Sequence, residues 1–290
     1  MTGIEETLSV TVKAALDEDR AFDDITTSLL VPRGMMGEAV IIAREDGVIS
    51  GQLCARTAFE LVDGGLEYLP AVPDGKEVNA GEKVATIRGR LASILSAERT
   101  ALNLLGHLSG VATLTSKYVG LISGSGVSVL DTRKTLPGLR QVEKQAVVDG
   151  GGKNHRPDLA SYILVKENHI AAAGGIASAA ALMGEKLGES EIEVTSIEEL
   201  RELEQFRPSR VMLDNFEPGG IRDAISLIDG WEGERPEIEV SGGITLDNIG
   251  SYSIEGVDFI STGSITASAR ALDLSLLVSI DSEWEQDGHD

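Results

Sequence analysis

A single cysteine, Cys54, stands in a chain of 290 residues. Such a chain builds neither an intrachain disulfide framework nor a zinc site of several cysteines. Aromatic residues are sparse at 4%, and basic residues are outnumbered, with 25 Lys and Arg against 47 Asp and Glu for a net charge of −22. That sign excludes a nucleic-acid binder working by general attraction to phosphates, so a site for an anionic substrate has to be a local basic patch. No run approaches the ~18 apolar residues of a membrane span. The opening MTGIEETLSV lacks the basic-then-apolar order of a secretory leader. A cytoplasmic protein with no membrane and no nucleic-acid partner is expected. The acidity reads either as an ordinary solvated surface or as adaptation to high salt, which few aromatics and few lysines favour.

What is present is ample material for a core. A hydrophobic content of 42% over this length supports one large domain or two ordinary ones. Up to about residue 90, alternating stretches such as GEAVIIARE surround a helix-like segment, GQLCARTAFELVDGG, the pattern of a small mixed α/β domain. VNAGEKVATIRG resembles the turn of a lipoyl or biotinyl carrier, but no Met-Lys-Met flanks it, and a tight β-turn is the better reading. The segment RLASILSAERTALNLLGHLSG predicts a helix with Leu91, Ile94, Leu95, Ala101, Leu102 and Leu105 on one face. Glu98 falls within that face and calls for a partner, while Arg99 at its edge is placed to serve a pocket.

From residue 127 the style changes. Apolar runs at SVLD, SYILVK, EIEVT, RVMLD, EIEVSGG and DFISTG alternate with Ala/Leu/Glu-rich stretches of helical character. Alternating β and α elements imply parallel strands with helical crossovers. Six such strands plus one further element predict a (β/α) barrel, open or closed, rather than a flat sheet. The runs end at Asp131, Lys166, Glu193, Asp214, Ser241 and Ser261, and in a barrel the carboxyl ends of the strands share one mouth, where active sites are built. Any one of these residues could cap a helix, but six in register point to a cavity. SGGI at Ser241–Ile244 and STGS at Ser261–Ser264 put small residues after the last two strands, where backbone N–H groups can approach a phosphate.

Residues 131–169 form the basic patch that the net charge requires. Seven basic residues (Arg133, Lys134, Arg140, Lys144, Lys153, Arg156, Lys166) stand against five acidic ones, with His155 and His169 among them. A local balance of +2 in a chain of −22 focuses an anionic substrate. Arginine suits a bidentate carboxylate or phosphate clamp, and lysine supplies a point charge. Glu193 and Asp214 can hold Mg²⁺, bind sugar hydroxyls or stabilise developing positive charge. Glycoside hydrolysis is another use for such a pair, though one that the cationic clamps and phosphate turns argue against.

The blocks DDITT, ERTALNLLGHLSGVAT, DTRKTLPGLRQVEKQAVVDGGGKNHR, LVKENHI, EIEV, MLDNF, SGGI and STGS, in this order, resemble the quinolinate phosphoribosyltransferase family over nearly the whole chain. The resemblance implies an N-terminal α/β sandwich domain, residues 1–112 with 271–290 packing back on it, followed by an open (β/α) barrel of about seven strands, residues 113–270. It implies phosphoribosyl transfer from phosphoribosyl pyrophosphate to quinolinate with decarboxylation, using Mg²⁺ and no organic cofactor, in a homodimer or a trimer of dimers with shared active sites. By matching motif positions, Arg133, His155 and Arg156 would hold the quinolinate carboxylates, with Thr132, Lys134 and Lys166 near the substrates and Arg99 lent by a neighbouring chain. Glu193 and Asp214 would serve the ribose hydroxyls and Mg²⁺, and Ser241, Gly242, Gly243, Thr262, Gly263 and Ser264 the phosphate. Lys134, Lys166, Glu193 and Asp214 are the expected catalytic set. VKENH stands where the family often has IKDNH, and STGS where Val-Gly-Ala is frequent; neither change removes a charged group. A sister enzyme acting on another heterocycle or serving molybdate metabolism would alter the arginine clamp, and a non-catalytic sugar-phosphate binder would need the turns alone.

Overall fold

The computed structural model describes residues 3–279, with side chains from Leu8 onward, so the acidic end DSEWEQDGHD lies outside the described residues. The chain divides into two compact units: residues 1–114 with 136–151 and 269–290, and residues 115–135 with 152–268.

In the first unit, β1 (Met36–Ala43), β3 (Glu67–Pro70), β5 (Lys83–Arg90) and β12 (Leu274–Ser279) form an antiparallel sheet in the order β12-β1-β5-β3. A two-stranded ribbon pairs β2 (Gly47–Val48) with β4 (Glu77–Val78). Alternation along β1 buries Ala39, Ile41 and Ala43, the period-2 signature of a sheet with one wet face. The helix Gln52–Val62 buries Phe59, whose ring stacks on Tyr68 of β3 at 5.8 Å. Leu8, Val12 and Leu16 are buried along the helix Gly3–Glu18, as spacing of four places residues on one helical face. The stretch VNAGEKVATIRG is a turn from β4 into β5, closed by the Glu82 N–H donating to the Asn79 carbonyl.

The helix expected over 90–110 runs from Leu91 to Leu121. Its glycines resemble a stop signal, but the apolar period continues through Val111, Ala112 and Tyr118, all buried. Gly110 meets the segment before β12: a Cβ there would lie 2.1 Å from the Arg270 carbonyl oxygen. Glu98 is half-buried rather than central to the apolar face, and Arg99 is exposed.

The second unit is built on a parallel sheet of β6 (Ser128–Leu130), β7 (Ile163–Val165), β8 (Ser190–Val194), β9 (Arg210–Asp214), β10 (Glu237–Ser241) and β11 (Phe259–Ser261). Their order is β6-β11-β10-β9-β8-β7. Each neighbour is the next strand in sequence except where β6 meets β11, so the first two strands are the two edges of an open barrel. Six strands, rather than about seven, are present among the described residues. The further element is reduced to a single parallel bridge between Leu130 and Lys153, beyond which the His155 backbone N–H donates to the Asp131 carboxylate instead of to a strand neighbour.

Candidate active site

The carboxyl ends of these strands open on one cavity of about 850 Å³, within the range of small-molecule sites. Five of the six strand-end residues line it: Lys166, Glu193, Asp214, Ser241 and Ser261. Asp131 does not. It is fully buried, and its Oδ1 accepts the His155 backbone N–H at 2.8 Å, so it braces the segment carrying the basic residues.

The lining includes Thr132, Arg133, Lys134, His155 and Arg156. Burial and the neighbouring Arg133 lower the pKa of Arg156, as expected when like charges are held together. Arg156 is fixed by its Nη1, which donates to the Tyr162 carbonyl at 3.1 Å. Arg133 Nε is buried with no hydrogen-bond partner, a donor suited to an anion. Two crowded guanidinium groups and one unsatisfied donor form a site that a dicarboxylate would complete.

In the same lining, Lys166 forms a close ion pair with Glu193. Asp214 is pushed upward in pKa by burial and then by the like charge of Glu193, while its Oδ2 accepts from Asn215 Nδ2 at 2.6 Å. Two carboxylates near enough to repel are a donor set that fits a hard divalent cation.

The two small-residue turns have distinct geometry. Gly242 and Gly243 adopt φ of +95° and +62°, and a Cβ on Gly242 would lie 2.2 Å from Asn215 Oδ1. Only glycine fits that first position, because backbone angle and space both forbid a side chain. In the second turn Thr262 Oγ1 and Ser264 Oγ lie 2.8 Å apart, and Tyr118 OH is 2.9 Å from the same Ser264 oxygen. A Cβ on Gly263 would lie 2.6 Å from Lys134 Cδ. Its absence lets the lysine cross the turn.

All the site residues implied by the family resemblance but one therefore share the lining. The exception, Arg99, lies on the helix Leu91–Leu121 in the first unit and is not among the lining residues. Sequence reading overlooked Met212, Asn215, Thr245 and Glu239, which also line the cavity, and Glu191 beneath it. A signal was available: in a strand, residues two apart point the same way, so the EIEV repeat that aims Glu193 at the mouth also aims Glu191 inward.

Two family models match, described as the C-terminal domain of quinolinate phosphoribosyl transferase over residues 111–277 and its N-terminal domain over residues 24–109. The chain is 38% identical to a nicotinate-nucleotide pyrophosphorylase [carboxylating] of Mycobacterium leprae, over 92% of this chain and 95% of that one. It is 40% identical to a probable nicotinate-nucleotide pyrophosphorylase [carboxylating] of Methanocaldococcus jannaschii, over 91% and 95% respectively. Among solved structures, the nicotinate-nucleotide pyrophosphorylase from Francisella tularensis aligns with a TM-score of 0.86 at 39% identity, covering 95% of this chain and 97% of that one.

Proposed function

This chain belongs to the quinolinate phosphoribosyltransferase family, and from that membership we propose how its own residues divide the work. The reaction joins quinolinate to phosphoribosyl pyrophosphate and yields nicotinate mononucleotide, pyrophosphate and CO2 in NAD biosynthesis.

Arg133 and Arg156 clamp the two quinolinate carboxylates, with His155 behind them and Thr132 beside them. Clamping both aims the ring nitrogen at the anomeric carbon. That nitrogen needs orientation more than activation, and positioning alone can lower such barriers by about 7–11 kcal/mol when the geometry is ideal. As pyrophosphate leaves, positive charge grows on the ribose, and Glu193 and Asp214 are the carboxylates that face it. Lys134 and Lys166 stabilise the departing charge. The turns at Ser241–Gly243 and Thr262–Ser264 seat the ribose phosphate with backbone and hydroxyl donors. Magnesium held by Glu193 and Asp214, directly or through bound water, would supply further neutralisation of the pyrophosphate. After the bond forms, the pyridinium ring takes up the electron pair released as CO2 departs, and a proton then fills the vacated carbon.

Arg99 is read as a residue lent to a neighbouring chain's site, in a homodimer or a trimer of dimers. No single helix among the described residues is long and apolar enough to cross a membrane, which suits a cytoplasmic enzyme. The observation that carries the reading is the meeting of an arginine pair, a carboxylate pair and two small-residue turns on one cavity. Labelled CO2 released from quinolinate only when phosphoribosyl pyrophosphate and Mg²⁺ are present is the expected result; no release sinks the assignment.

A further inference from the structure

Next to the arginine clamp lies a group of buried ionisable side chains for which the reaction has no direct use. Glu191 on β8 and Glu239 on β10 are both fully buried. Arg210 on β9 approaches them from below, with Nη1 3.4 Å from Glu239 Oε2 and 4.0 Å from Glu191 Oε2, and its guanidinium lies 4.2 Å above the Phe259 ring. Carboxylates in a barrel interior are costly, and apolar residues would serve packing as well or better.

What the pair touches is His155. Its Nε2 is 2.9 Å from Glu191 Oε2 and 3.5 Å from Glu239 Oε2. On the other side of the ring, Nδ1 accepts the backbone N–H of Arg156 at 2.7 Å. An accepting Nδ1 leaves the proton on Nε2, so the ring donates downward to the carboxylates and accepts from the clamp. The ring is thus a strut between the buried pair and the main chain of Arg156, and with the Tyr162 carbonyl holding the guanidinium, both ends of that arginine are fixed.

We propose that Glu191 and Glu239 are positioning residues for quinolinate recognition, acting through His155 to hold Arg156 in place. The inference rests on Arg156 serving as a carboxylate clamp, and it is aimed at one of the two substrates: Glu239 also faces Ser261 at the end of β11, but the link through His155 runs to Arg156.

The test compares Glu191→Ala and Glu239→Ala with Glu191→Gln and Glu239→Gln, which keep an acceptor oxygen. Expected for the alanine variants is a rise of about tenfold or more in KM and in the dissociation constant for quinolinate, with the KM for phosphoribosyl pyrophosphate moved by less than about twofold. The glutamine variants should recover most of the loss. Both KM values moving together, or neither moving, in variants that retain the wild-type circular dichroism overturns the proposal. Should the alanine variants fail to fold, ¹⁵N NMR of the wild-type imidazole still decides: the Nε2–H tautomer at pH 7 supports the strut, and an Nδ1–H or doubly protonated His155 overturns it. Wild type unable to bind quinolinate overturns the clamp reading as well; normal wild-type binding with unaffected variants overturns this inference alone.

Discussion

At Glu239, burial and the neighbouring Glu191 push the carboxyl up to about 8. The unfolded chain releases that proton near 4.5, so the folded state holds a proton that the unfolded state has lost. The contribution to stability is fully present below about pH 4.5 and is lost as pH rises through about 8. Asp63 has the opposite sign: its bond from Arg90 Nε at 2.6 Å, with further bonds from Gly65 N–H and Ser93, lowers its pKa, so its contribution fails only below the ordinary carboxylate range. The two windows do not overlap. The melting temperature of the wild type should fall between pH 5 and 8, and in Glu239→Gln that slope should flatten; parallel slopes would refute the assignment. Glu193 and Asp214 were legible in the sequence because each closes an apolar run at a strand's end. Glu191 and Glu239 carried a weaker signal, their place two residues before Glu193 and Ser241, because a charge inside a strand reads as a wet face until the barrel shows that both faces are covered.

Helix and strand boundaries show where local signals yield to packing. The parallel strands could be read from the alternation of apolar runs with helical stretches, and β7 to β11 pair in chain order. The helix Leu91–Leu121 outran its expected end because glycine has two uses, stopping a helix and admitting a close neighbour, and sequence does not distinguish them. Gly110→Ala places a methyl group 2.1 Å from the Arg270 carbonyl, whereas at Gly120, in the same helix, nothing lies within 4 Å of the added carbon. Gly110→Ala should lose about 2 kcal/mol or more in urea denaturation. Gly120→Ala should be neutral or gain up to about 1 kcal/mol from helix propensity. Equal effects at the two positions would show that the close approach carries no cost.

At the scale of the whole molecule, the chain's net charge of −22 divides into a basic substrate block and an acidic remainder, a contrast visible before any coordinates. Arg99, which the helix pattern puts at the edge of an apolar face, belongs to a different unit from the other proposed site residues. If Arg99 completes a neighbour's site, Arg99→Ala and Lys166→Ala chains, each inactive alone, should regain activity when mixed, because a hybrid dimer holds one site free of both changes. Persistent inactivity, with hybrid formation verified by mass, would reject sharing. The first unit is assembled from three separate stretches of sequence, and its last strand, β12, pairs along the free edge of β1. During synthesis, therefore, the apolar MGEAVIIA of β1 has nothing on that side until some 230 further residues have been added. Throughout that interval the nascent chain carries an unguarded strand edge, and any premature stop before residue 274 would leave it open for good.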